Sequence, residues 1–596
     1  MRSALGKSSA FVVLFASQSL GTSPATPQRL SVAVGGRSAG FVSLGMSHGR
    51  AALATLVRRS LPLTRDRVGS ICSRPCPVVM SGIRSLAVAS GGTAPTDQPL
   101  QARVSRAELV QETAFVNGKF GAGSASGKTF EVLDPASGAV LGRVPDMDAA
   151  ASGAAIDAAT AAFSAWRSVP AKEKGVVLRR WYDLIIANTD DLAIIMTSEC
   201  GKPLAESKGE VAYAASFVDF FAEEARRIEG SIMTPPGATK RVLTMRQAVG
   251  PAAFITPWNF PAAMITRKAA PALAAGCPVV ALPAPTTPFT ALALAQLAKE
   301  AGLPDGLFNV ITSSSSLTPE VGRLLSSDPR IKKLSFTGST AVGKLLMAQC
   351  ATTVKRVSLE LGGNAPFIVM QDADLDAAAA GLMASKFRNA GQTCVCANRV
   401  MVHESVYDAF IDKLLPLVQA LKVGHGLESG VTIGPLISKA AVDKVARQVE
   451  DAKAKGARVI CGGNRLQGNF FEPTILADVS RGMECMEEET FGPLAPIISF
   501  KTEAEALQMA NDTPAGLAAY LFSKDLGRAW RMAEGLEYGM VGVNEGIISS
   551  DIAPFGGVKE SGLGREGSKW GLDEYLETKY VCLGLGNPID GLPSMP

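Results

Sequence analysis

Four short segments of this 596-residue chain place residues where they could do chemistry. Cys394 lies in Asn389-Ala390-Gly391-Gln392-Thr393-Cys394-Val395-Cys396, after a glycine break and a predicted helix that starts near Asp376. A thiol so placed can be exposed and activated as a nucleophile. The run is also compatible with a buried thiol. A metal pair lacks partners, because Cys-x-Cys supplies two ligands and no second cluster follows. Glu360, in Leu359-Glu360-Leu361-Gly362-Gly363, ends an apolar strand. A carboxylate there tends to a raised pKa and could take a proton from thiol or water, unless it simply meets solvent. Asn259, in Trp258-Asn259-Phe260-Pro261, sits at a strand-to-helix corner. Its side-chain NH2 could serve a developing oxyanion, or the residue could cap a helix. Finally, a strand runs into Gly338, and a helix starts at Ser339 or Thr340. Free N–H groups and the positive dipole end there could receive a pyrophosphate. The turn has neither the G-x-G-x-x-G nor the Walker pattern, and a helix capped by Ser339 accounts for it equally well.

The elements that carry these residues alternate. Strands are predicted at 252–256, 279–282, 307–312 and 334–337, with helices at 261–275, 289–301 and from Thr340. Apolar strands alternating with helices imply a parallel sheet covered on both faces. Long helices over 148–166, 175–200 and 211–229 precede this set. A second set follows through strands at 399–403, 459–461 and 517–523. The stretch 575–585 reads as a last strand, suited to pairing with another subunit. The fold class is therefore α/β with two lobes. At ~100–200 residues per domain, the length suits two or three domains.

Composition narrows the chemistry. Hydrophobic residues make up 47% and charged residues 19%, which excludes disorder as the main state. No apolar run reaches the ~18–20 residues of a membrane helix. The best, 10–16, is short, and 269–285 is broken by Pro271, Pro278, Pro283 and Pro285. His48, His403 and His425 are the three histidines, too few and too scattered for zinc or Ser-His-Asp chemistry. Ten Cys in so long a chain suit a reducing compartment. Net charge is +4, unevenly spread. Residues 1–105 hold Lys7 and eleven Arg against Asp66 and Asp97, a net of +10, so the rest carries −6. An acidic body gives no reason to expect nucleic acid. The acid-poor, Ser- and Arg-rich start reads as an organelle transit peptide. A basic amphipathic helix at 51–59 suits mitochondrial import. The apolar 10–16 segment makes a plastid or secretory address the rival, and a plain disordered tail is the bland one.

Taken together, the motifs resemble the aldehyde dehydrogenase superfamily from about residue 110 to 585. The resemblance rests on Pro257-Trp258-Asn259-Phe260-Pro261, the turn from Phe336 to Gly343, Glu360-Leu361-Gly362-Gly363, Gly391-Gln392-Thr393-Cys394 and Glu489-Thr490-Phe491-Gly492-Pro493, in the family's order. Longer stretches at 386–398 (KFRNAGQTCVCAN) and 556–569 (GGVKESGLGREGSK) are similar to members that oxidise succinate semialdehyde. The resemblance implies Cys394 as nucleophile, Asn259 with the Cys394 N–H as oxyanion hole, and Glu360 as base. It places Trp258, Gly338, Ser339, Gly343, Glu489 and Phe491 along a nicotinamide cofactor. Arg267, Arg388 and Ser549 match positions that hold a substrate carboxylate, a task for which the two-pronged guanidinium is suited. The rival is that these arginines face solvent or bind Asp. Cys396 matches relatives in which the pair forms a reversible disulfide. No metal is implied.

The resemblance also implies a Rossmann-like cofactor lobe (106–230 and 251–362), a catalytic lobe (363–574) and a small oligomerisation arm (231–250 and 575–590), after a leader spanning 1–105. A homodimer or homotetramer in the mitochondrial matrix, or else a plastid, is expected. The partner is a small aldehyde with a distal carboxylate, with no nucleic acid and no membrane. One extra methylene separates succinate from glutarate semialdehyde, worth only ~1–3 kcal/mol of discrimination. The departure from the family lies at Leu282-Pro283-Ala284-Pro285, where relatives carry Lys-Pro-Ala-Ser or similar. Leu282 offers no cation and Pro285 no hydroxyl or N–H, so NAD is expected over NADP, and a non-catalytic relative with weakened cofactor binding is a further alternative.

Overall fold

Strand runs of buried Val, Ala, Phe and Leu dictate two sheets in this chain. A computed structural model describes residues 29–32, 42–45, 98–124, 126–236 and 239–586. The chain divides into Met1–Ser90 and Gly91–Pro596. In the first unit Arg29–Val32 pairs antiparallel with Val42–Gly45. The helix expected at 51–59 and the apolar segment 10–16 lie outside the described residues.

In the second unit the first sheet is built on β1 (Ala252–Ile255), β2 (Val279–Leu282), β3 (Phe308–Val310), β4 (Lys333–Thr337) and β5 (Arg356–Glu360). The spatial order is β5-β4-β1-β2-β3, all parallel. Antiparallel strands finish both edges: Gly562–Leu563 beside β5, and Ala114–Val116 with Lys119–Ala122 beside β3. The chain walks from β1 to β3 in one direction, then returns to the other side of β1. Where the direction reverses, the carboxyl ends of β1 and β4 part and leave a crevice, the usual ligand position in open parallel sheets. Those ends carry Asn259 and Gly338.

Five helices position the site: α1 (Leu204–Glu224), α2 (Ala263–Ala275), α3 (Thr340–Cys350), α4 (Leu375–Lys386) and α5 (Lys439–Ala454). Side-chain caps at Ser339, Asp374 and Ser438 start three of them. The single helix expected over 175–200 is two, Ala171–Ala187 and Thr189–Cys200. Asn188 separates them: its side-chain amide donates to the Leu184 carbonyl at 2.7 Å, closing the first helix as an alternative to continuing it.

The second sheet comprises β6 (Ala365–Val369), β7 (Ala397–His403), β8 (Arg458–Cys461), β9 (Thr474–Ala477), β10 (Leu494–Phe500), β11 (Ala518–Phe522) and β12 (Met540–Val543), in the order β8-β9-β10-β7-β6-β11-β12. All are parallel except β8. Only residues 361–364 separate β5 from β6. The carboxyl ends of the first sheet therefore abut the amino ends of the second.

One expectation needs correction. The packed body starts before residue 106: Leu100 is fully buried, and the Arg103 guanidinium reaches the Ser198 hydroxyl at 3.2 Å. Burial of one leucine and a buried counter-charge at Asp134 fix this segment, although its composition matches the leader. The last strand, Leu576–Gly584, pairs along its whole length with Lys240–Ala248 of its own chain. Its other edge carries no partner among the described residues.

Candidate active site

The junction of the two sheets encloses a cavity of about 260 Å³. Cys394, Glu360 and Asn259 all line it. The folding reason is topological: the turn after β1 carries Asn259, β5 ends at Glu360, and the loop ahead of β7 carries Cys394.

That loop is held in an uncommon conformation. Asn389 and Ala390 have φ of 50° and 53°, left-handed values that cost of order 1–3 kcal/mol each for residues other than glycine. Gly391 has φ +75°, and a Cβ there would lie 2.1 Å from the Gly492 carbonyl oxygen, so only glycine fits. Tethers compensate. The Asn389 N–H donates to Glu206 at 2.8 Å, and its side-chain amide donates to the Asn259 carbonyl at 3.0 Å. The Gln392 side chain donates to the Asn389 carbonyl at 3.1 Å and accepts from the Ile437 N–H at 2.9 Å. The Asn259 amide donates to the Gln392 carbonyl at 3.0 Å, which uses one of its two N–H bonds and ties the oxyanion donor to the nucleophile's own loop. Asn259 is thus not a helix cap.

Electrostatics divide the labour. Burial pushes the Cys394 thiol up to about 12; Arg267 opposes this, and Glu489 and Glu360 add to it. The sulfur is therefore a thiol at rest and needs a base. Glu360 is buried, and neither carboxylate oxygen has a hydrogen-bond partner. Burial first, and then the charge of Glu566, hold its pKa well above the usual carboxylate range. A carboxyl destabilised as an anion is a stronger proton acceptor than one in solvent.

The lining is also of a kind that suits the nicotinamide end of a dinucleotide cofactor. Trp258, Gly338, Ser339, Glu489 and Phe491 line the cavity. Trp258 and Phe491 meet edge to face with centroids 5.7 Å apart, which gives an apolar wall. Gly338 and Ser339 line the cavity immediately ahead of α3, and a helix start favours a negatively charged group. A Cβ at Gly362 would stand 3.0 Å from a Glu489 oxygen, so glycine leaves room for that carboxylate. Glu489 accepts the Gly363 N–H at 3.1 Å, and burial raises its pKa to about 7. Gly343 lies outside the cavity lining; it is buried where a Cβ would strike Leu361, so it sets the approach of α3.

Residues 122–581 match the aldehyde dehydrogenase family profile. The chain belongs to the aldehyde dehydrogenase family. It is 56% identical over 485 residues to the NADP(+) succinate-semialdehyde dehydrogenase of Escherichia coli strain K12, covering 81% of this chain and 100% of that one. It is 57% identical over 480 residues to the glutarate-semialdehyde dehydrogenase of Pseudomonas aeruginosa, covering 80% and 99%. The mitochondrial succinate-semialdehyde dehydrogenase of Mus musculus is 57% identical over 481 residues, covering 80% and 91%. The crystal structure of a succinate-semialdehyde dehydrogenase from Burkholderia pseudomallei superposes with a TM-score of 0.79 at 57% identity, covering 81% and 99%. The aldehyde dehydrogenase fold, with its paired α/β lobes, agrees with the class expected from the motifs.

The residues matched to the family's carboxylate clamp are not among those that line this cavity. Arg267 is buried and ion-paired with Glu566, with its guanidinium 4.5 Å from the Phe555 ring. It is neither solvent-facing nor bound to Asp, and not a free clamp either, because a buried cation requires a counter-charge. Its Nη2 has no hydrogen-bond partner. The half-buried Arg388 sits over the Phe260 ring at 5.2 Å and makes no ion pair among the described residues. Ser549 is half-buried. Cys396 is buried, with its thiol donating to the Lys386 carbonyl at 3.3 Å. Leu282 is buried in the apolar layer under the first sheet, beside Ile255, Val280 and Ile311. Pro285 lines a separate cleft with Ser314.

Sequence reasoning missed the residues that hold this machinery. Lys202 and Glu210 form a buried ion pair; Lys202 also donates to the Asn259 carbonyl at 2.6 Å, and Glu210 accepts the Ala262 N–H at 2.9 Å. Lys268 bridges Glu566 and Thr337 from below. Asn364, Asn398 and the Thr490 N–H form a chain that fixes the loop bearing Glu489. Two charges eight apart in a helical segment, as at Lys202 and Glu210, were the only available sign. Among the described residues no group of three or more His, Cys, Asp or Glu could hold a metal, and no helix is long and apolar enough to cross a membrane.

Proposed function

We propose that this chain oxidises succinate semialdehyde to succinate in 4-aminobutyrate catabolism, with Cys394 as nucleophile. The observation that carries it is the convergence of Cys394, Glu360 and Asn259 on one cavity, with unpaired Arg388 close enough for its charge to act on Cys394. The Cys394 proton passes to Glu360, and the thiolate attacks the aldehyde carbon. The second Asn259 N–H and the Cys394 N–H hold the oxyanion. A bound nicotinamide dinucleotide supplies the hydride acceptor that makes this an oxidation. The Cys394 adduct is then a thioester. Once the Cys394 proton has passed to solvent, Glu360 takes another from water; the hydroxide attacks the thioester, and the acid leaves as the thiolate returns.

Trp258, Gly338, Ser339, Gly343, Glu489 and Phe491 serve the cofactor in this reading, while Arg267, Arg388 and Ser549 serve the distal carboxylate. Glutarate semialdehyde is the second reading, favoured by the Pseudomonas relative's name. The body is read as a homodimer or homotetramer joined through the arm, in the mitochondrial matrix or a plastid. NAD is preferred over NADP on the strength of Leu282 and Pro285, although the Escherichia coli relative is named for NADP(+). A 2′-phosphate beside Leu282 lacks a cation, and one lost charge-assisted hydrogen bond weakens binding roughly ten- to a hundredfold. Turnover of succinate semialdehyde is measured with each cofactor by the absorbance of the reduced form. A higher kcat/KM with NAD, and NADP use gained in Leu282→Lys, is expected. NADP equal or better in the parent defeats the cofactor reading. No turnover with either defeats the enzyme reading.

A further inference from the structure

Buried polar atoms nearly always have partners, so orphaned ones mark ligand positions. The Tyr213 hydroxyl oxygen is buried and, the Arg267 side chain apart, has no hydrogen-bond partner among the described residues, while its ring stays half-buried. The ring packs edge-on against Phe217 at 4.8 Å. Phenylalanine would serve that packing as well, so the hydroxyl needs another reason. Its surroundings give one. Glu210, one turn earlier on α1, accepts the N–H groups of Ala262 and Ala263 at 2.9 and 3.3 Å. Tyr213 therefore lies one turn along from that contact on α1, and Arg267 one turn along on α2. Arg267 has an orphaned Nη2. Arg388, over Phe260 just ahead of α2, has an unpaired guanidinium.

We propose that the Tyr213 hydroxyl is a specificity-determining donor for the remote carboxylate of the substrate, acting with Arg267 Nη2 and Arg388. The assignment rests on the acid-ended aldehyde reading given above. A carboxylate has about four acceptor positions, so a neutral donor beside the two arginines can find a free lone pair. Glu566 already offsets much of the Arg267 charge, and Glu206 lies near Arg388. A neutral O–H adds a hydrogen bond without asking for another buried counter-charge. Burial raises the phenol pKa, so it is a donor at neutral pH; Arg267 and Arg388 pull the value back, and the Cys394 charge raises it further. The hydroxyl is therefore within electrostatic reach of both arginines and of the nucleophile.

The test compares succinate semialdehyde with butanal, which lacks the carboxylate, in the full chain with its cofactor. Tyr213→Phe is expected to raise KM for succinate semialdehyde about tenfold with little change in kcat, and to lower the acid-to-neutral ratio of kcat/KM by the same factor. Arg388→Ala is the companion variant and should lower that ratio further. Equal losses on both aldehydes in Tyr213→Phe mean a packing role and overturn the assignment, as does an unchanged ratio. If Arg388→Ala shifts the ratio and Tyr213→Phe does not, only the role of Tyr213 falls. If neither shifts it, the acid-ended reading falls too.

Discussion

Burial penalises thiolate and carboxylate alike: it leaves Cys394 a thiol at rest and holds the Glu360 pKa well above the usual carboxylate range. Raising both values keeps a proton transfer between them closer to balance than a solvent carboxylate would allow. Two outcomes follow at this scale. Cys394→Ser should abolish oxidation while leaving cofactor binding intact, because a serine hydroxyl is hardly ionised at neutral pH; a serine variant as active as the parent would end the covalent scheme. Glu360→Gln should let the thioester accumulate, visible as a burst of reduced cofactor followed by slow turnover. Glu360 accepts a proton only when ionised, so deacylation in the parent should rise with pH through its raised pKa, and in Glu360→Gln that limb should vanish. Cys396 adds a second chemistry. Peroxide should inactivate the enzyme and dithiol restore it through a strained, easily reduced bridge to Cys394. The Cys396 thiol now faces the Lys386 carbonyl, so the bridge requires the loop to unwind. Inactivation equally reversible in Cys396→Ala would leave Cys396 as a spacer.

Among elements, α1 acts as the brace of the catalytic corner. Glu210 caps the start of α2, Lys202 ahead of α1 grips the Asn259 carbonyl, and their ion pair is almost completely buried. Removing one partner of such a pair leaves an uncompensated buried charge and costs about 3–5 kcal/mol. Lys202→Met should therefore destabilise strongly in denaturant melts and lower kcat, since the carbonyl beneath the oxyanion donor is released. Adding Glu210→Gln should recover part of the stability but not the kcat. Additive losses in that double-mutant cycle would show that the pair does not couple. The strained 389–391 turn belongs to this scale as well. Its left-handed residues persist because Glu206, Asn259 and Gln392 over-determine them.

Across the whole molecule, the outer edge of Leu576–Gly584 is a row of backbone groups with no strand partner among the described residues. Chains cut after residue 574 should lose the arm sheet with Lys240–Ala248 and elute as smaller or aggregated species in light scattering. An unchanged mass would place the subunit contact elsewhere. The sequence by itself determined which residues could react and the alternation that makes a parallel sheet, because apolar strand runs and helix caps are local properties. It also narrowed the chemistry, since three scattered histidines without a Cys cluster argue against zinc or Ser-His-Asp chemistry. Local pattern could not distinguish Asn188 as a break within 175–200, or Leu100 as core, because both depend on what packs against them. The crevice arises only when the strand order reverses at β1, and that order is a matter of non-local pairing. The same holds for charge: Arg267 looks like a free clamp in the chain, and becomes the partner of Glu566 because residues 299 positions apart meet in the buried interior. Pairing of buried charges is decided by tertiary proximity, which no spacing along the sequence records.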